Sequence, residues 1–185
     1  MRTLEIEESI RLNEMQEIAM FSGLNDAEMK ALAMASEFRE YDEGETVTAQ
    51  ESVDSWLFVV LEGRLSVSVK SLSDDDVTVG TLRGGDIFGE TTLFTNLPRS
   101  ATVRASVPVF ILALSRDQFT AFINEFPRAG LKLLGYIIYG LINKLASSNR
   151  NMAMEKECNV TMRDLEDLSR LFPPTLDDLL EQDSE

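Results

Sequence analysis

The spacing of hydrophobic residues changes twice along the chain, and each change marks a different kind of secondary structure. Hydrophobic residues recur at helical spacing over 29–35, after Asn25 and Glu28 in the arrangement of a capping box. From about residue 45 to residue 114 the spacing falls to two, which is typical of strands. Helical spacing returns beyond Ser115. The pattern therefore predicts a helix, then a β-rich unit, then further helices.

Six short strands are predicted in the β-rich unit. Turn-forming residues separate them, for example Gly63 and Pro108. Several short strands at this spacing favour a sandwich or a barrel, and they leave the jelly roll and other Greek-key arrangements open. The predicted strands are Thr46–Ala49, Trp56–Leu61, Leu65–Val69, Val77–Leu82, Ala101–Ala105 and Val109–Leu114.

Two helices are predicted after the strands. Ser115 and Gln118 form a second capping box, which starts a helix that ends near Phe126. Pro127 suits the first turn of the next helix, which we extend to about Met154. Apolar residues recur along this long helix at spacings of three and four, and we interpret them as core, with a subunit interface as the alternative for part of the stripe. These residues are Leu131, Leu134, Ile138, Leu141 and Leu145.

Charge is concentrated at the two ends of the chain. The 185 residues carry 17 basic and 32 acidic side chains, a net charge of −15. Residues 151–185 hold ten acids and three bases, and residues 1–20 hold five acids and two bases. Acidic ends around a nearly ordinary middle predict one folded core with appended segments. We therefore expect an acidic helical lead-in over 1–20, a domain over 21–155 with strands over about 45–114 and helices over 115–155, and an acidic tail over 156–185.

Composition excludes several classes of function. With no His and one Cys, the chain lacks His-containing zinc sites, disulfide frameworks and the Ser–His and Cys–His pairs of nucleophilic catalysis. Its acidity argues against a nucleic-acid-binding surface. The most hydrophobic stretch, 129–143, is too short to cross a bilayer, and we find no targeting segment. We expect a non-enzymatic cytoplasmic protein without a metal or cofactor.

The residues best suited to binding a ligand lie over 84–102, between two groups of predicted strands. Three glycines in this stretch allow tight turns and close approach of the backbone. Backbone amides from Gly89 to Thr92 offer a concave site for an anion. Arg99 supplies a guanidinium fork that fits a phosphate, and Glu90 can accept a hydrogen bond from a hydroxyl. Together these groups fit a sugar phosphate.

The same stretch resembles the phosphate-binding cassette of cyclic nucleotide-binding domains. The resemblance lies in Phe88-Gly89-Glu90, a short loop, and then Pro98-Arg99-Ser100-Ala101. This family includes the bacterial cyclic AMP receptor proteins and the regulatory subunits of cyclic AMP-dependent kinase. The similarity covers about residues 15–150. It implies a mainly β fold with flanking helices, in which a cupin-like jelly roll (a double-stranded β-helix) lies between N-terminal helices and a long C-terminal helix.

The resemblance also implies a role for individual residues. Glu90 would accept a hydrogen bond from the ribose 2′-hydroxyl beside Gly89, and Arg99 would pair with the cyclic phosphate. The amides of Thr92, Ser100 and Ala101 would help to hold the phosphate, and the Ser100 hydroxyl would lie near the phosphate and the base. The remaining implied site residues are Thr91 in the cassette, Leu82, Ile87 and Phe88 in the pocket wall, and Asn143 and Lys144 against the base.

The chain also departs from the family pattern. Thr91 and Thr92 stand where the family often has an aliphatic and a small residue, and Glu51 stands where many members have a turn glycine. At Asn143 and Lys144 the chain lacks the family's Thr-Ser pair of base-contacting hydroxyls. The identity of the base therefore stays open between cyclic AMP, which we favour because Arg99-Ser100-Ala101 resembles the bacterial receptors, and cyclic GMP.

Two functional hypotheses remain. The first is a free-standing bacterial-type sensor that binds a cyclic nucleotide and signals through protein contacts. It would form a homodimer through the helix that starts at Pro127, and its acidic tail would dock a partner protein. The alternative is a ligand-free interaction or dimerisation protein on the same fold, in which Arg99 and Glu90 form an internal ion pair. An enzyme of the cupin type is disfavoured because metal-binding His residues are absent.

Overall fold

The computed structural model describes residues 1–4, 7–71 and 73–152. The chain divides into two compact units, 1–140 and 141–185. The second unit is described over 141–152, where it is helical. The predicted acidic tail over 156–185, with its docking role, lies outside the described residues. Within the described residues, no helix is both long enough and apolar enough to cross a membrane.

Strands and helices alternate as blocks along the described chain. A 3₁₀ turn at Ala19–Phe21 separates the first two α-helices. The strands are β1 (Arg2–Thr3), β2 (Glu37–Tyr41), β3 (Thr46–Thr48), β4 (Trp56–Glu62), β5 (Arg64–Lys70), β6 (Asp76–Arg83), β7 (Ile87–Phe88), β8 (Thr102–Ala105) and β9 (Val109–Ser115). The α-helices are α1 (Glu8–Gln16), α2 (Asp26–Ala35), α3 (Thr91–Phe94), α4 (Arg116–Glu125) and α5 (Pro127–Met152).

The strands form two antiparallel sheets with a shared core. One sheet has the order β1-β2-β9-β4-β7, and the other has the order β3-β8-β5-β6. Side chains from both sheets meet in one hydrophobic cluster that includes Phe58, Leu65 and Ile111. Every residue from Leu57 to Leu61 in β4, which lies between β9 and β7, is buried, so side chains on both faces of this strand are covered. This arrangement is the mainly β fold with flanking helices that the resemblance implies.

The structure confirms most of the strands and helix caps that local sequence patterns predict. All six predicted strands are present, with ends shifted by one residue at most. Both capping boxes are formed: Glu28 N–H donates to Asn25 Oδ1 at 2.9 Å, and Gln118 N–H donates to Ser115 Oγ at 3.3 Å. The elements that the pattern did not predict are β1, β2, β7 and α3, and three of these four have four residues or fewer. Elements so short contain too few positions to show a period.

The interpretation of the α5 stripe as core is wrong for three of its five residues, whereas Leu134 and Leu141 are half-buried. The structure buries the neighbouring face of the helix, where Ala129, Leu133 and Ile137 are almost inaccessible. Leu131 and Ile138 of the predicted stripe are instead 55% and 50% exposed. The predicted stripe residue Leu145 is exposed as well.

Packing against α4 explains which face of α5 is buried. A Cβ on Gly130 would lie only 2.7 Å from Ile123 Cγ1, so the two helices approach closely at this glycine. That contact turns the side of α5 next to Gly130 toward the body of the domain. Because apolar residues lie nearly all round this part of the helix, its hydrophobic period could not choose between the two faces.

Candidate functional site

Arg99 is the centre of the candidate site and is held from two directions. Its side chain is only 5% exposed. Nε donates to Asp54 Oδ2 at 3.1 Å, and Nη2 donates both to Asp54 Oδ1 and to the Trp56 carbonyl, the latter at 2.7 Å. The backbone N–H of Arg99 donates to the Ser52 carbonyl at 2.8 Å, and the N–H of Glu51 donates to the Arg99 carbonyl at 2.9 Å. The guanidinium therefore has a fixed position and direction.

One nitrogen of this guanidinium is left without a protein partner. Nη1 of Arg99 is buried and makes no hydrogen bond in the described part of the chain. Leaving a buried donor unsatisfied costs about 1–3 kcal/mol, and more when the group is charged. Such donors are rare in folded proteins, and one that persists calls for an explanation such as a ligand or an ordered ion. Nη1 is therefore the one guanidinium nitrogen of Arg99 that the described residues leave unsatisfied.

Gly89 makes room for the guanidinium. Its φ of +80° lies in the left-handed region that favours glycine. A Cβ at this position would overlap Arg99 Nη1 and would lie 2.6 Å from the Trp56 carbonyl oxygen. Glycine is thus required here both by the backbone conformation and by the close approach of Arg99.

Glu90 and Thr92 continue the cassette into the short helix α3. Glu90 precedes the helix and is 7% exposed, and Thr92 is 2% exposed. The Thr92 hydroxyl donates to the Gly89 carbonyl at 2.9 Å, and the Thr92 N–H donates to the same carbonyl at 3.3 Å. The amide that the resemblance assigns to the phosphate is therefore engaged in closing this turn.

Aromatic side chains line the base of the site. Phe88 stacks on Phe58 with 4.8 Å between ring centroids and an angle of 18° between the planes. The guanidinium carbon of Arg99 lies 5.4 Å from the Phe58 ring centroid, a cation–π distance. Phe88 thus packs on the ring that lies against Arg99, and its implied role in the pocket wall stays a prediction.

The structure places the other predicted site residues as follows. Thr91 and Ser100 are exposed, and Ala101 is half-buried, so the two residues after Arg99 reach the surface of the cassette. Asn143 and Lys144 are exposed on the part of α5 that belongs to the second compact unit. Their contact with the base stays a prediction.

Sequence reasoning missed Asp54, the carboxylate that holds Arg99. The ligand-free hypothesis paired Arg99 with Glu90, whereas the ion pair in the structure joins Arg99 to Asp54, a side chain 30% exposed. Asp54 lies 45 residues before Arg99 in the chain. The available signal was general: a buried arginine needs a carboxylate partner. Nothing in the sequence distinguished Asp54 among 32 acidic residues.

Comparison with known families identifies the domain. Residues 38–126 match the family model described as "Cyclic nucleotide-binding domain". The match includes β2 through α4, and therefore the whole cassette around Arg99. The similarity to the cyclic nucleotide-binding domain family lies in these residues.

Individual relatives agree with this assignment. The chain is 33% identical over 122 residues to the cAMP-dependent protein kinase regulatory subunit of Mycosarcoma maydis, covering 63% of this chain and 23% of that protein. It is 40% identical over 83 residues to the cGMP-dependent protein kinase of Eimeria tenella, covering 45% of this chain and 8% of that protein. The chain thus spans less than a quarter of the length of either relative.

A solved structure shows the same fold. The cyclic nucleotide-binding domain from Methylobacillus flagellatus KT aligns with a TM-score of 0.70, at 20% sequence identity, over 83% of this chain and 86% of that one. This likeness extends beyond the strands to most of the flanking helices. At this identity it shows the fold alone.

Proposed function

We propose that this protein is a regulatory sensor that binds a cyclic nucleotide through Arg99. The observation that carries the proposal is the buried, unpartnered Nη1, which sits beside Gly89 on a guanidinium that Asp54 and Trp56 already hold in place. A phosphate oxygen would satisfy this donor by a charge-assisted hydrogen bond. Because Nε and Nη2 are already engaged, little side-chain freedom is lost when the ligand binds.

The rest of the cassette fits a cyclic ribose phosphate. Glu90 is buried next to Gly89 and would accept the hydrogen bond from the 2′-hydroxyl. The exposed Ser100 would add its hydroxyl, and the amides of Ser100 and Ala101 would complete the phosphate contacts. The amide of Thr92 would join them only if its 3.3 Å bond to the Gly89 carbonyl opened.

We favour cyclic AMP over cyclic GMP as the ligand. Support comes from Arg99-Ser100-Ala101 and from the similarity to a regulatory subunit named as cAMP-dependent. The similarity to a kinase named as cGMP-dependent keeps cyclic GMP as the second ligand to test. In this proposal Asn143, which offers both a donor and an acceptor, discriminates between the bases, and Lys144 adds a donor.

The output of the sensor would be a protein contact. The exposed apolar residues on α5 support a homodimer through this helix, because Leu131, Ile138 and Tyr139 are about half exposed. Apolar side chains at adjacent helical positions are a common feature of helix–helix interfaces. Sedimentation velocity on the full chain, with and without nucleotide, measures whether this dimer forms.

Calorimetric titration with cyclic AMP, cyclic GMP and a cyclic dinucleotide tests the proposed function. We expect saturable binding of one cyclic mononucleotide per chain and an increase in the unfolding temperature with that ligand. No binding and no thermal shift with any of the three would overturn the proposal. That result would favour the ligand-free interaction protein, in which the Asp54 carboxylate pairs with Arg99 without any ligand.

A further inference from the structure

A second arginine, Arg116, contacts the short cassette helix α3 at its C-terminal end, away from Gly89 and Glu90. It is the first residue of α4 and lies half-buried against the cassette. Its Nη2 donates to the carbonyls of Thr92 and Thr95, and its Nη1 donates to Asn96 Oδ1 at 2.8 Å. One guanidinium therefore binds three acceptors around the C-terminal end of α3.

The backbone of Arg116 reaches the loop that holds Arg99. Its N–H donates to the Ser55 carbonyl at 2.8 Å. Ser55 lies between Asp54 and Trp56, the two residues whose oxygens fix the Arg99 guanidinium. Arg116 thus joins the support of the phosphate site, the end of α3 and the start of α4.

Helix α3 depends on this contact because it is too short to be stable alone. It has four residues, and an isolated helix of this length does not form in water. Its last carbonyls have no partners within the helix, and a cation at this end is favourable. Gly89 and Glu90 lie at the other end of α3, so the position of the helix determines where they meet the ligand.

The Arg116 guanidinium is directed toward the cassette, although this orientation leaves one of its own donors unsatisfied. Nε of Arg116 is buried and has no hydrogen-bond partner among the described residues. An arginine that served only to fill space could turn toward solvent and satisfy all its donors. The orientation observed satisfies the carbonyls of α3 first.

We infer that Arg116 is a positioning residue that couples the cassette helix α3 to α4, so that filling of the Arg99 site alters the dynamics of α4. The inference rests on the proposed function for its ligand-dependent part. The coupling of α3 to α4 also exists without ligand. A change at either end of α3 should therefore alter the dynamics at the start of α4.

Amide hydrogen exchange on the full 185-residue chain tests this inference, with Arg116→Gln as the variant. Arg104→Gln is the matched control, because Arg104 is an exposed arginine on β8. Without ligand, Arg116→Gln should speed exchange over residues 92–97 by about tenfold or more, the factor for one lost charge-assisted hydrogen bond. Exchange at the first turn of α4 should rise in parallel.

Adding cyclic AMP provides the second arm of the experiment. In the unmodified protein we expect ligand to slow exchange in both the cassette and α4. In Arg116→Gln the ligand should still slow the cassette, the slowing in α4 should be lost, and affinity should fall about 2- to 30-fold. Arg116→Lys, which keeps the charge but not the fork, should recover part of the α4 response.

The two proposals fail in different ways. Unchanged exchange over residues 92–97 in ligand-free Arg116→Gln would overturn the coupling, whether or not nucleotide binds. Full α4 protection by nucleotide in that variant would overturn it as well. Failure of the unmodified protein to bind any cyclic nucleotide would instead overturn the proposed function, and the ligand-free exchange would still decide the role of Arg116.

Discussion

Two arginines are buried against the same aromatic ring, one in a sheet and the other in the cassette. Arg39 in β2 is 9% exposed, and its guanidinium carbon lies 4.1 Å from the Trp56 ring centroid and 5.8 Å from that of Phe58. Arg99 is 5% exposed and lies 5.4 Å from the Phe58 centroid. Each is paired with a carboxylate, so burial and ion pairing do not distinguish them.

The difference lies in the donors that remain after pairing. Nε and Nη2 of Arg39 both donate to Glu37 Oε2, at 2.9 and 2.8 Å, and in the part of the chain that the structure describes no buried Arg39 donor lacks a partner. Arg99 keeps a buried, unpartnered Nη1 beside Gly89. Within the described residues Arg39 is tied to its own strand through Glu37, whereas Arg99 keeps an unsatisfied donor, which is the basis of the proposed phosphate contact.

Replacing each arginine with alanine gives the largest expected effect, and only the Arg99 variant should lose nucleotide affinity. Removing one partner of a buried charge pair costs about 2–5 kcal/mol, so Arg99→Ala should weaken nucleotide binding about 30-fold or more. Arg39→Ala loses a desolvated cation–π contact of about 2 kcal/mol and should lower the free energy of unfolding instead. Calorimetric titration and urea denaturation of both variants measure the two effects.

Arg99→Lys is a second variant, which tests the same contact if Arg99→Ala does not fold. It keeps the positive charge beside Asp54 but loses the planar fork, so binding should weaken while the fold persists. Equal nucleotide affinity in unmodified protein and Arg99→Lys would contradict a role for the fork. A large loss of affinity in a folded Arg39→Ala variant would show that the contrast between the two arginines is wrong.

A pair of glycines provides a finer test of the space around Arg99. Gly89 and Gly85 both have positive φ, +80° and +91°, but only Gly89 has neighbours that a Cβ would meet. Each substitution by alanine should cost about 1–2 kcal/mol of stability from the left-handed backbone. Gly89→Ala should also displace the Arg99 guanidinium and weaken nucleotide binding, whereas Gly85→Ala should not. Equal affinities in the two variants would mean that this close approach is irrelevant to the site.

How much the sequence could predict depends on how local each feature is. The capping residues Asn25 and Ser115 act within their own first helical turns, and the predicted strands follow from alternation within a few residues. The cassette could be predicted because Gly89, Glu90 and Arg99 lie within one short stretch. Each of these features is determined by residues that lie close together in the sequence.

The parts that could not be predicted depend on distant contacts. Asp54 meets Arg99 across 45 residues, and Arg116 meets the Thr92 carbonyl across 24, so neither partner has a local signal. Burial of Arg39 also contradicts the usual preference of arginine for the surface, and the Trp56 ring that covers it lies on another strand.

The smallest expected effect concerns Glu51, a residue in left-handed conformation that is hydrogen-bonded to Arg99. Its φ is +65°, and its N–H donates to the Arg99 carbonyl. A side chain in this conformation costs about 1–2 kcal/mol, and glycine removes that cost while making the unfolded chain more flexible by about 0.5–1 kcal/mol. Glu51→Gly should therefore raise the free energy of unfolding by about 0.5–1 kcal/mol, measured by urea denaturation, with nucleotide affinity unchanged.

Asp74→Gly is the matched control for this last prediction. Asp74 has a φ of +67° at the β5–β6 hairpin, and its carboxylate pairs with Lys70 at 2.9 Å. Aspartate tolerates the left-handed region better than glutamate, so its replacement should gain less stability than Glu51→Gly. If Glu51→Gly instead lost nucleotide affinity at unchanged stability, the Glu51 carboxylate would belong to the binding site. The difference between Arg99 and Arg39 would then involve the Glu51 carboxylate as well as Nη1 of Arg99.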